Sequence, residues 1–494
     1  MAHHNEDKPG TNENEVELEK RPVIRPLSRA SPLSPTTDDA VPIPITNANP
    51  KLDRSLSWIG ALGLAFTITN AWMSYTATFG PSLVYGGGVT VFFALIIAAV
   101  AQWAVLLGVS EMASALPSSG GCYHFTYFVA PKTTRRFASF VVGIINLTGF
   151  WVGGVSGLIY TTISIFGTVA FWVDDGRGGG YVPQQWHVYL AYVAVVCLSL
   201  IPIFTIPRRN TKYMTETCLG MSLFCLVLFI IVLLAMGRGH YRPGNLLLHR
   251  NTSGWSTGTG WLLSVVLGEY SFATTGMVVH LSEEVPRPGR NIPLAINTTM
   301  VLCVATAIPF TAVLLGGIQD LDAVQDAWIP SLEIFYQATR SRAVATFLQA
   351  CLAVLYFSTI SVQWVPISRI AWTLSRDNAL PFSSYFNYID PHYGFPVRTT
   401  ILSVCFCVIF GLIYIASSAA FNSVVNMATL LINIAYTVPQ GILACRRRSS
   451  LPPRQLDLGR LGYIVNLFSM LWLVLSGALF CFPTRVPTTP GSMN

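Results

Sequence analysis

Hydrophobic residues in this chain gather into continuous runs of roughly 20 positions, separated by short polar stretches and showing no alternation with a period of two. A run of that length covers about 30 Å of hydrocarbon as a helix. The runs fall near 57–79, 88–110, 137–170, 186–206, 216–236, 259–283, 293–317, 343–372, 399–417, 421–443 and 461–482, which predicts about eleven spans. Backbone groups in lipid need partners within the segment, and continuous runs select helices over a barrel. Residues 1–56 contain no Phe, Trp or Tyr and are rich in Pro, Ser, Asn and charged side chains, so they predict a disordered tail. The tail lacks the apolar core of a cleavable signal, so the first spanning helix directs insertion.

Composition agrees with that pattern. Of 494 residues, 52% are hydrophobic and only 11% charged, against roughly 25% charged in soluble proteins. With a mean hydropathy of +0.52, soluble multidomain, secreted, collagenous, coiled-coil and fully disordered classes are excluded. The net charge of +7 is a topology signal and not a nucleic-acid footprint, because the basic residues sit between apolar runs. The tail (Lys8, Lys20, Arg21, Arg25, Arg29, Lys51, Arg54) and alternate loops (Lys132, Arg135, Arg136; Arg208, Arg209, Lys212; Arg287, Arg290; Arg376, Arg398; Arg446 to Arg448, Arg454, Arg460) carry most of them. Those loops are predicted to be cytosolic. The opposite loops hold Arg177, then Arg238, Arg242 and Arg250, then Arg340 and Arg342, then Arg485, and include the glycosylation acceptor Asn251-Thr252-Ser253. Ten cysteines are scattered singly, without a C-x-x-C pair or a ligand cluster with His. No cofactor or metal motif is indicated: H-E-x-x-H and nucleotide loops are missing.

Two spans carry polar or helix-weakening residues where an anchor would be uniformly apolar. The first reads GLAFTITNAWMSYTATFG and the sixth LGEYSFATTGMVVHLSEE. They are five spans apart. Interruptions at matching places in two five-helix halves point to an all-helical secondary transporter built from inverted repeats, with its substrate near the midplane. The expected organisation is a tail over 1–56, a core over 57–443 divided into halves 57–236 and 259–443, and a final linker, eleventh helix and short tail over 444–494.

The stretches ITNAW and GGG at 86–88, SEMASALPSSGGCYHFTYFVAPK (110–132), HLSEEVPRPGRNIPLAI (280–296), SRIAWTLSRDNALPFS (368–383) and LGRLGYIVN (458–466) resemble the amino acid-polyamine-organocation superfamily, and within it the fungal amino acid and choline permeases. The resemblance runs from about residue 55 to the C-terminus. It implies the LeuT-like fold and proton- or ion-coupled uptake of a small amine or amino acid across the plasma membrane. Relatives usually have twelve spans with both termini in the cytosol. Eleven spans here imply an exterior C-terminus and an absent twelfth helix.

Superfamily members that bind amino acids commonly break the first span at Gly-Ser-Gly or Gly-Ala-Gly, whose bare amides receive a carboxylate. Here the corresponding register holds Trp72, Met73 and Ser74, flanked by Asn70 and Tyr75, and the sixth-span break is placed over Phe272, Ala273, Thr274, Thr275 and Gly276. Without the glycines, the faces of Trp72, Tyr75 and Phe272 favour an ammonium group through cation–π attraction. Glu269, ionisable and within a span, is a candidate for cation attraction or a coupled proton, with Lys212 and Glu216 as a second coupling pair and Glu111 and His280 behind them. Glu283 or Glu284 is expected to form a cytosolic latch with Arg or Lys from the loop before the third span. The competing functional class is a nutrient receptor that keeps the transporter fold.

Overall fold

The computed structural model describes residues 56–173, 184–206, 211–413, 418–446, 448 and 451–487, with backbone alone over 418–425. Residues 1–55 of the expected tail, Arg177, Arg208, Arg209, Arg447 and residues 488–494 lie outside them. Among the described residues the regular structure is entirely helical. Two short helices open it, α1 (Trp58–Thr69) and α2 (Ala71–Thr78), followed by α3 (Gly80–Ala115), α4 (Cys122–Val129), α5 (Arg135–Val173), α6 (Gln185–Thr205) and α7 (Thr211–Met236). The second set is α8 (Thr257–Ala273) with a 3-10 continuation over Thr274–Leu281, then α9 (Pro288–Gly316), α10 (Leu321–Asp326), α11 (Pro330–Thr339), α12 (Arg342–Arg376), α13 (Ser383–Phe386), α14 (Val397–Gly411) and α15 (Ser418–Ala444). A last helix, α16, spans Leu461–Leu479.

Nine helices among the described residues are long and apolar enough to cross a membrane. The divided first span (α1 with α2) and the 15-residue α14 bring the passes to eleven. The broken spans sit inside, as their composition requires. Every described residue from Gly63 to Met73 is buried, so the polar Thr67, Thr69 and Asn70 meet protein and not lipid. In contrast α7 and α16 expose Phe224, Val227, Ile231, Ile464, Leu471 and Val474, the lipid-facing surface expected of peripheral spans.

The glycine run 86–88 kinks α3. Gly87 takes φ 73° and ψ −152°, which glycine adopts without the clash a side chain would bring. A Cβ on Gly88 would lie 1.9 Å from the Asn245 carbonyl oxygen. The kink thus lets the 243–252 loop lie on the helix, where the N–H of Val89 donates to Leu248 O at 3.3 Å and that of Arg250 to Gly86 O at 3.2 Å. At this same end the N–H of Val486 donates to Ser253 O at 2.8 Å, and Trp255 Nε1 donates to Pro483 O at 3.0 Å. The Asn251 amide, the sequence's glycosylation acceptor, is engaged there, donating to Trp255 O at 2.8 Å.

Candidate functional site

The first span breaks at one residue. Asn70 adopts φ 34° and ψ 60°, a left-handed conformation that Asn tolerates better than most side chains. Its N–H closes α1 on Phe66 O, and its carbonyl receives the N–H groups of Met73 and Ser74 to start α2. The break therefore precedes the Trp72–Ser74 segment indicated by the glycine-run register, because Asn70 supplies both the turn and the first carbonyl of the next helix. Ser74 Oγ donates to Thr69 O at 2.7 Å, so one carbonyl at the end of α1 is capped from α2. In the sixth span α8 ends at Ala273 and the chain tightens into 3-10 geometry from Thr274, inside the expected Phe272–Gly276 interval. The two breaks meet through the hydroxyls of Thr69 and Thr275, 3.1 Å apart.

Beside this contact is a cavity of about 40 Å³, walled by Met73 and Ser74 of α2, Ala273 and Thr274 at the sixth-span break, and residues of α5, α12 and α15. Three tyrosines dominate it: Tyr160 from α5, Tyr270 from α8 and Tyr356 from α12. The Tyr160 ring lies 6.3 Å from Tyr270 and 6.2 Å from Tyr356. Their tips are partly anchored, since Tyr270 Oη pairs with Ser156 Oγ at 2.8 Å and Tyr356 Oη donates to Met73 O at 3.2 Å. Thr359 and Gln363 continue the wall on α12. Among the described residues, no Asp, Glu, Lys, Arg or His lines it.

Several residues singled out from the sequence lie away from this wall. Trp72 points toward α7 and α9, donating from Nε1 to Ser222 Oγ at 3.1 Å and meeting Phe310 and Phe229 edge-on at 4.9 and 5.6 Å. Asn70 Oδ1 accepts from the same Ser222 hydroxyl at 3.0 Å. Tyr75 donates to Val91 O at 2.7 Å, and Phe272 is completely buried in the core. Gly276 is held against Tyr436, whose hydroxyl would lie 2.5 Å from an added Cβ. The aromatic wall is supplied by Tyr160, Tyr270 and Tyr356, which resemble ordinary packing residues in a linear apolar run. Their available signal is a phenol placed mid-span, where its hydroxyl must find a partner.

Glu269 is fully buried but also away from the cavity. Its Oε2 accepts from Asn433 Nδ2 of α15 at 2.8 Å, and Asn433 Oδ1 accepts from Gln102 Nε2 of α3 at 2.9 Å. No ion pair to Glu269 occurs among the described residues. Lys212 and Glu216 lie in the first turns of α7, near α1: a Cβ on Gly60 would be 3.6 Å from Lys212 Cβ, and one on Gly63 3.5 Å from Glu216 N. The Lys212 ammonium stands 4.7 Å over the Tyr213 ring. His280 bridges Asn146 at 3.0 Å and Ser119 O at 2.8 Å.

Glu283 and Glu284 pair with arginines other than those expected. Glu283 receives both terminal nitrogens of Arg376 at 3.1 Å, while buried Glu284 receives Arg369 Nε at 2.7 Å. Both arginines come from the end of α12, which lies against the sixth-span break, and not from the loop before the third span. That loop instead brings in α4, where His124 Nε2 and Tyr123 Oη each approach Asp377 Oδ2 at 2.8 Å. Burial raises the Asp377 carboxyl, but His124, Tyr123 and Arg376 together hold it below its ordinary value.

A family model described as amino acid permease matches residues 56–494. The choline transporter of Saccharomyces cerevisiae is 26% identical over 90% of this chain and 78% of its own length. The transmembrane transporter swnT of Metarhizium robertsii is 26% identical over 96% of this chain and 91% of its own. The crystal structure of MhsT in complex with L-phenylalanine superposes with a TM-score of 0.56 at 12% identity, covering 86% of this chain and 97% of that one. That likeness establishes the LeuT-like fold.

Proposed function

The chain belongs to the amino acid permease family, and from that premise we propose that it carries a choline-like amine across the plasma membrane, coupled to a proton, with its N-terminus in the cytosol. Membership makes it a multi-pass membrane transporter of a small solute and not an enzyme. The observation that carries the substrate reading is the cavity at the two helix breaks, walled by three tyrosines and, among the described residues, by no charged side chain. Each desolvated ring face attracts a quaternary or protonated amine by up to about 2 kcal/mol. Among the described residues the wall offers no cation for a free carboxylate, which supports choline over amino acids and GABA. The S. cerevisiae relative, a choline transporter, supports the same order.

The cavity lies inside the helix bundle, between α2, the sixth-span break, α5, α12 and α15. The walls must part for loading and again for release, as in alternating access between residues 57–236 and 259–443. Glu283 with Arg376, Glu284 with Arg369 and Asp377 with His124 close the basic end, which we assign to the cytosol because it gathers the Arg-rich loops. Glu269 is the carboxyl we assign to the coupled proton. What supports that assignment is a fully buried carboxyl within a span, with Asn433 on Oε2 and no cation beside it among the described residues.

Uptake of labelled choline in yeast lacking its own choline uptake tests this reading, with GABA, polyamines and amino acids as competitors. Saturable uptake that falls when the proton gradient is collapsed is expected. Absence of choline uptake by protein at the cell surface overturns the substrate reading, and signalling without uptake favours a receptor.

A further inference from the structure

Tyr356, Thr359 and Gln363 lie on one face of α12 at spacings of three and four residues, so all three reach the same cavity. Two are satisfied: Tyr356 donates to Met73 O and Thr359 donates to Thr67 O at 3.0 Å. Gln363 is different. It is 4% exposed, and its carboxamide makes no hydrogen bond among the described residues. Gly153 and Gly154 of α5 lie opposite it, where Cβ atoms would sit 3.8 and 4.0 Å from Nε2, at ordinary contact distance.

A buried amide nitrogen without a partner carries a desolvation penalty, and native structures rarely retain one without a use for it. This amide lines the cavity beyond the tyrosines, where neither cation–π attraction nor apolar packing needs a carboxamide. We infer that Gln363 is a specificity-determining residue that hydrogen-bonds an oxygen on the substrate, so the solute is an amine that also bears a hydroxyl or carbonyl group. A choline-like hydroxyl suits it in either amide orientation, because a hydroxyl both donates and accepts and so does the carboxamide. A bare alkylammonium would satisfy the tyrosines and strand the amide. This inference rests on the tyrosine-cage reading and narrows its substrate class.

The test is competition against labelled choline uptake by the full-length protein, using unlabelled choline and propyltrimethylammonium, in which a methyl replaces the hydroxyl. In the wild type the isostere should compete about tenfold less well, the scale of one lost hydrogen bond to a buried partner. In Gln363→Leu the two compounds should compete equally. The ratio within one variant is independent of expression, and Gln363→Met, unbranched and of similar length, repeats the measurement if the leucine variant fails to reach the surface. An unchanged ratio in either surface-expressed variant, or equal competition in the wild type, overturns the role of Gln363 and leaves the tyrosine cage standing. Failure of both compounds to compete in the wild type overturns the cage itself, and this inference with it.

Discussion

The hydroxyl of Thr69, the last residue of α1, lies 3.1 Å from that of Thr275 in the 3-10 half of the sixth span, while Thr275 also donates to Phe272 O at 2.9 Å. One side chain thus ties the two interrupted helices together and adds a bond to a carbonyl at the end of α8. Thr275→Val keeps the shape and removes both bonds. Its expected cost is about 1–2 kcal/mol of stability, with a larger fall in uptake than in surface expression because the breaks lose their register. Equal falls, measured by transport against surface labelling, would reduce Thr275 to a packing role.

The tyrosine cage separates face from hydroxyl. Tyr160→Phe keeps the ring face and should hold choline affinity within about threefold, whereas Tyr160→Leu removes one face and should weaken it about tenfold or more. Trp72→Phe serves as the contrast, because Trp72 packs on Phe229 and Phe310 away from the cavity. It should lower thermal stability and leave the choline KM nearly unchanged. A KM shift for Trp72→Phe matching that of Tyr160→Leu would place the cage elsewhere.

Most of the fold was legible because lipid makes span length a direct readout of the chain. The polar interruptions around Asn70 and Thr274 located both breaks to within a few residues. The inward faces of the spans were not legible. Trp72 and Tyr160 are equally aromatic and equally mid-span, and only the rotation of α2 and α5 against their neighbours separates a core residue from a cavity wall. The latch partners escaped for a related reason: Glu283 and Arg376 are 93 residues apart, and charge at a span end does not say which of several basic ends it will meet.

Glu269→Gln keeps the hydrogen-bonding shape beside Asn433 but cannot exchange a proton. Choline uptake should fall severalfold and lose its dependence on the proton gradient, while equilibrium choline binding, governed by the tyrosine wall, persists. The measurement is uptake and equilibrium binding with the proton gradient imposed and collapsed. A variant whose uptake still follows the proton gradient would remove Glu269 from coupling.

Asp377 makes the closed basic end pH-dependent. Burial works against its charge, but His124, Tyr123 and Arg376 hold the carboxyl below its ordinary value. A depressed carboxyl stabilises the closed arrangement above its unfolded value, about 3.9, and that contribution disappears as pH falls through the folded value. Thermal stability of purified protein should therefore decline toward pH 4 and below more steeply in the wild type than in Asp377→Asn. Parallel curves would show that Asp377 contributes nothing to closure.

Glu111 near the end of α3 is almost completely buried and is held by Arg448, by Arg454 Nε at 2.9 Å and by the N–H of Leu458 at 3.3 Å. Ser114, one turn on, accepts from the N–H groups of Gln455 and Leu456 at 3.0 Å each and donates to Gly289 O at 2.7 Å. The segment leading into α16 is therefore fastened to α3 and α9 by its own basic residues. Removing one member of a buried charge cluster leaves the others uncompensated, at a cost of about 3–5 kcal/mol, so Glu111→Gln should lose most folded protein at the surface. Arg454→Gln should be milder, because Arg448 still neutralises Glu111 and Asp457 is exposed enough to be solvated. Choline KM in the surviving protein should match the wild type, since nothing in this cluster reaches the cavity. Thermal melting of detergent-solubilised protein checks the order, and a Glu111→Gln protein as stable as the wild type would show that the linker is held by its backbone contacts alone.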